Sequence, residues 1–95
     1  MKRPDPERAR LMKEELYRGI EAGILDMRTA SRVMRRILGM SQTTYAQQVL
    51  KISPRVLIDF ERGTGNPTLS TLQRIAAPFG LEVGFVRRRQ TAAEG

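Results

Sequence analysis

Ser41-Gln42-Thr43-Thr44-Tyr45-Ala46-Gln47-Gln48-Val49-Leu50-Lys51-Ile52-Ser53-Pro54-Arg55-Val56-Leu57-Ile58-Asp59-Phe60-Glu61-Arg62-Gly63 is the stretch that decides the fold. Ser41 and Ser53 each stand just before an apolar-periodic run. A hydroxyl there accepts from the free N–H groups of a helix's first turn. Pro54 follows Ser53, and its fixed φ suits the first helical position. Thr44 occupies the place where a capping box puts Glu. The first helix turns Tyr45, Ala46 and Val49 inward, and the small Ala46 lets a neighbour cross tightly. Leu50-Lys51-Ile52 carries the chain round a turn. Leu57 and Phe60 are the inward residues of the second helix, and Arg62-Gly63 ends it. The outer residues Arg55, Val56 and Asp59 are then free to face a groove.

Working outward, Asp5-Pro6-Glu7 gives a cap, a Pro and an acid in the first turn, so a helix is expected from about Pro6 to Leu25. Met12, Leu16, Ile20 and Ile24 recur every fourth position and form one stripe. The stripe either packs on the rest of the domain or receives a partner; packing is the commoner use of an amphipathic helix. Gly19 and Gly23 weaken this helix by about 1 kcal/mol each relative to Ala, and they admit a close backbone. Asp26 caps a helix over Met27 to Leu38 with Ala30, Val33, Met34 and Ile37 inward, and Gly39 closes it. Downstream, Gly63-Thr64-Gly65-Asn66-Pro67 is a loop. Thr68 caps a fifth helix with Leu69, Leu72, Ile75, Ala76 and Phe79 inward; Pro78 and Gly80 stop it.

The period changes after Gly80. Leu81, Val83 and Phe85 alternate with Glu82, Gly84 and Val86, a strand pattern in an otherwise helical chain. No second strand is evident, and a lone strand leaves its ladder groups unpaired. The same strand from a second copy, antiparallel across a two-fold axis, completes it most simply. The alternative is an extended tail lying on the core. The expected division is a helical extension over 1–26, a helical domain over 27–80, a dimerisation strand over 81–86 and a basic, mobile tail over 87–95.

Composition narrows the function. The 95 residues are enough for one core, and no apolar run approaches the ~20 residues of a membrane span. With neither Cys nor His, thiolate metal sites, Cys nucleophiles and the commonest general base are all excluded. The carboxylates are scattered over helix surfaces, so no catalytic or metal-binding residue and no cofactor is expected, and an enzyme is the least favoured class. The start of the chain, Met1-Lys2-Arg3-Pro4-Asp5, is charged and lacks an apolar secretory core, which points to the cytoplasm. Lys and Arg number 17 against 10 Asp and Glu, a net +7, and 14 of the 17 are Arg. An anionic partner follows, nucleic acid before membrane, although Arg-rich usage can also reflect genome composition.

Residues 39–69 resemble the Cro/cI (Xre) family of phage-repressor helix–turn–helix domains. The resemblance lies in the Ser41-Gln42 opening, the Glu61-Arg62-Gly63 ending and Asn66-Pro67-Thr68-Leu69, and with flanking helices it covers about 27–80. Residues 81–86 resemble the C-terminal strand of HipB-type antitoxins. The resemblance implies an all-α, phage-repressor-like bundle with an extra N-terminal helix and one C-terminal β-strand shared across a dimer by Leu81, Val83 and Phe85. It implies that Gln42 and Thr43 open the first motif helix at phosphate or the groove edge. Ser53, Arg55, Val56 and Asp59 would face the major groove, where Arg55 takes a guanine or a phosphate and Val56 packs on a thymine methyl. Arg62, Thr64 and Asn66 would follow the DNA backbone, while Arg35 and Glu61 form a structural ion pair. Two departures stand out. The turn at Leu50-Lys51-Ile52 is one residue longer than usual and lacks the usual Gly. The second helix is also poor in polar base readers, so DNA shape would share in specificity.

The implied function is a dimeric, sequence-specific repressor of an inverted-repeat operator in double-stranded DNA. An antitoxin that represses its own operon and holds a HipA-like kinase toxin is favoured. A stand-alone Xre-type repressor, or a protein–protein module that binds DNA weakly, is the alternative.

Overall fold

The structure, a computed structural model, describes residues 2–87. The described residues form five helices: α1 (Pro6–Glu21), α2 (Met27–Leu38), α3 (Gln42–Thr44, continued by a π-helical segment, Tyr45–Leu50), α4 (Pro54–Arg62) and α5 (Leu69–Ala76), followed by a 3-10 turn over Ala77–Phe79. Each α-helix begins as its cap residue dictates. The side chains of Asp5, Asp26, Ser41, Ser53 and Thr68 accept from the backbone N–H three residues on, at 2.8–3.2 Å.

Helix α1 stops at Glu21, four residues short of the expected Leu25. Gly23 takes φ +71°, which a residue with a side chain adopts only at a cost, and the chain turns back there. Ile24 and Leu25 both donate their N–H to the Gly19 carbonyl, at 3.1 and 3.3 Å. Leu25 therefore folds onto Gly19, where an added Cβ would stand 3.2 Å from the Leu25 Cβ. Ile24 does not complete the stripe. It is 71% exposed, and Leu25 takes the inward place. The stripe itself docks in cis: Leu16 is fully buried, with Met12 and Ile20 packed beside it on the core of Met34, Ile37, Leu57 and Ile75. Tyr17 adds a tie across the molecule, its hydroxyl donating to the Phe79 carbonyl at 2.8 Å.

The long turn between α3 and α4 is absorbed by a change of winding. Tyr45–Leu50 hydrogen-bonds five residues apart rather than four, so one extra residue fits while Tyr45, Ala46 and Leu50 all stay buried. Lys51 then adopts φ +59°, the left-handed conformation that glycine usually supplies. Its N–H and that of Ile52 both close on the Ala46 carbonyl. Ser53 thus starts α4 with Leu57 and Phe60 directed into the core.

In α5 the expected inner face is corrected at Leu69, which is 60% exposed. It is the first helical residue, and a side chain there leans back over the turn before it, away from the core. Ile75, Ala76 and Phe79 are buried. Beyond Gly80, Leu81 and Val83 are half-buried while Glu82, Gly84, Phe85 and Val86 are exposed. No strand is present among the described residues, and one copy of the chain offers residues 81–86 no ladder to join. The expected tail lies outside the described residues from Arg88 on. No helix among the described residues is long and apolar enough to cross a membrane.

Candidate nucleic-acid interface

The two helices of the opening stretch are locked together by one buried carboxylate. Glu61, on the inward side of α4, is 2% exposed. Arg35 of α2 donates to it through Nη2 at 2.9 Å and through Nε at 3.2 Å to both oxygens. Ser31 Oγ donates to Oε2 at 2.6 Å, and Gln42 Nε2 donates to Oε1 at 3.0 Å. Arg32 adds a bond to the Glu61 backbone carbonyl. Arg35 also reaches the Met40 carbonyl, at 3.2 Å. Burial by itself would raise the carboxyl pKa. The bonds from Arg35, Ser31 and Gln42 outweigh it and hold Glu61 below its ordinary range. α2, the start of α3 and the end of α4 therefore meet at one charge-assisted node, which fixes the angle at which α4 leaves the core.

Two of these partners escape a reading of sequence alone. Ser31 lies one turn before Arg35, at i and i+4, so a helical phase places it on the same side; a serine there carries no signal unless the acid it serves is already known. Gln42 is expected to point outward, yet its amide nitrogen is bound to Glu61 and the residue is half-buried.

Tyr45 lies beside the node, fully buried, and its hydroxyl has no hydrogen-bond partner among the described residues. Burial first, and then the Glu61 charge, push its pKa up to about 12, with Arg35 opposing.

The opposite side of α4 is open. Arg55 is exposed, tethered only by a 3.7 Å approach to Asp59 at i+4. Val56 is 37% exposed although apolar. Ser53 Oγ serves its own helix start, and Thr64 Oγ1 donates to the Asp59 carbonyl at 3.3 Å, which trims the helix end. Val56, Asp59, Thr64 and Asn66 gather round one shallow cleft beside α4. Thr43 and Arg62 are exposed, and neither side chain is hydrogen-bonded among the described residues. Arg28, which the sequence did not single out, reaches across from the start of α2 and lies against Gly63. The surface that results is open, led by the first turn of α4, with cations at Arg55 and Arg62 and only a shallow cleft among the described residues. Among the described residues no group of three or more His, Cys, Asp or Glu gathers around a point where a metal could sit. Such a surface suits a groove in another molecule better than a small ligand.

Comparison with known proteins agrees. The family model described as "Helix-turn-helix" matches residues 32–86, more than half of the chain. No curated protein and no solved structure matches.

Proposed function

Since the chain belongs to the helix–turn–helix family, whose domains are those of DNA-binding transcriptional regulators, we propose that it is a homodimeric, sequence-specific repressor acting on an inverted repeat. The observation that carries this reading is the division of α4. Leu57, Phe60 and Glu61 are held in the core, while Ser53, Arg55 and Val56 stand outward on the first turn. Arg55 and Val56 meet base edges in the major groove. Thr43, Arg62, Thr64 and Asn66 border that surface and suit the phosphate backbone, and Gln42 does so from its place on Glu61. Asp59 steers Arg55 and disfavours a phosphate beside it. The dimer is supported by the alternation at Leu81, Val83 and Phe85 and by the large apolar side chains left exposed at Leu69, Phe85 and Val86. Two-fold symmetry then sets the two α4 helices roughly 34 Å apart, one turn of duplex. The resemblance of residues 81–86 to HipB-type antitoxins makes a kinase-like, HipA-type toxin the proposed protein partner. The absence of His and Cys supports a binding protein over an enzyme.

Selection from a library of random duplexes tests the reading. It should return a dyad-symmetric sequence with half-sites about ten base pairs apart. Arg55→Ala should then weaken binding to that sequence by about 1–3 kcal/mol if the guanidinium meets a base. An equal loss on unselected DNA would make it a phosphate contact. Failure to enrich any sequence would overturn the repressor reading.

A further inference from the structure

A second cationic surface lies away from α4, and the helix–turn–helix does not account for it. Lys2, Arg3, Arg8 and Arg36 line one open cleft, with Pro4, Asp5 and Met12 as its remaining walls. All four cations are exposed, and none has a side-chain hydrogen bond or ion pair among the described residues. Asp5, the one acid in the cleft, is committed to capping α1 through the Arg8 N–H. Four cations against the single Asp5 carboxylate leave the cleft with a clear excess of positive charge, so the surface suits a polyanion. It also lies close against the body of the fold. Gly39 has φ +65°, and a Cβ there would stand 2.5 Å from the Arg3 Cα, so only glycine lets residues 2–4 lie over the junction of α2 and α3. Ser41 and Gln42, at the start of α3, are two and three residues beyond that contact, within about 11 Å of chain.

We propose that Lys2, Arg3, Arg8 and Arg36 grip duplex DNA through its backbone phosphates, beside the half-site faced by α4 and without regard to sequence. The inference rests on the DNA-binding reading and extends it to the N-terminal segment. Arg supplies three of the four cations, and its planar fork matches phosphate better than an ammonium does. A lipid surface fits less well, because Met12 is the cleft's single large apolar side chain and nothing there could enter a bilayer.

The test compares two double variants with equal charge loss. Arg3→Gln/Arg36→Gln removes two cations of the cleft. Arg10→Gln/Arg18→Gln removes two from α1; Arg10 is already paired with Glu7 and Glu14 at 2.7 Å. All four residues are exposed, and circular dichroism verifies that each variant folds. Anisotropy titrations on a 30-base-pair duplex of unselected sequence, at several KCl concentrations, give the slope of log K against log salt. The cleft variant should lose about 1.8 from the magnitude of that slope, two phosphate contacts' worth, while the control changes little. On the selected operator the ratio of specific to non-specific affinity should be unchanged. Equal slopes for wild type and the cleft variant, or equal losses in both variants, would overturn the proposal and leave the role of α4 intact. So would a loss confined to binding of phosphatidylglycerol vesicles. A wild-type chain that bound no duplex at all would remove the DNA reading itself, and this one with it.

Discussion

Glu61 and Lys51 are the two residues on which the geometry turns, and they differ in how openly the sequence declares them. The ion pair between Arg35 and Glu61 comes from resemblance, because nothing in residues 26 positions apart says that they meet. Ser31 and Gln42 complete it only in three dimensions. Glu61→Gln keeps the shape and removes the charge, so it leaves the largely covered Arg35 guanidinium without its counter-ion. Breaking a buried pair in this way costs about 3–5 kcal/mol, which a thermal melt at neutral pH would read as a drop in Tm of more than 10 °C. The pH dependence has a definite sign. The Glu61 pKa is lowered in the fold from an ordinary 4.5, so its stabilisation is fully present above that value and fades as pH falls through the lower, folded one. Wild type should therefore lose stability below pH 4.5 more steeply than Glu61→Gln, as denaturant midpoints across that range would show. Lys51 is plainer. Its left-handed backbone strains any side chain, and Lys51→Gly should raise stability by about 0.5–1 kcal/mol, the strain relieved less the extra chain entropy of glycine.

Helices were the legible elements. Caps at Asp5, Asp26, Ser41, Ser53 and Thr68 with glycines at the ends bound most of them to within a residue or two, because capping is local chemistry. The failures lay where tertiary packing decides. Ile24 fits the four-residue stripe of α1, but Gly23 had already turned the chain, and Leu25 gained the contact with Gly19. Leu69 fits the apolar period of α5 yet lies at its very start, clear of the core. The π winding of Tyr45–Leu50 left no compositional trace beyond a turn one residue too long. If that winding exists to accommodate the extra residue, deleting the exposed Gln48 should let the segment relax to ordinary α winding. The deletion variant should remain folded with its Tm within about 5 °C of wild type, a change of roughly 1 kcal/mol. Loss of cooperative melting would show that the wider turn itself is required by the packing of Tyr45 and Leu50.

At the scale of the whole molecule the proposed dimer rests on residues 81–86. The alternating pattern after Gly80 was visible in the sequence; the groove that receives Leu81 and Val83, formed by Ile20, Leu25 and Leu72 among others, was not, since its walls come from three helices. Val83→Pro removes a ladder donor in the middle of the proposed shared strand. Light scattering should then give the monomer mass where wild type gives the dimer; an unchanged mass would separate dimerisation from this strand. The hydroxyl of Tyr17 has a different consequence. By clasping the carbonyl of Phe79 it stitches the first helix to the last turn, 62 positions away, and makes the chain a nearly closed ring. Neither end can lift away from the body of the fold without giving up that bond.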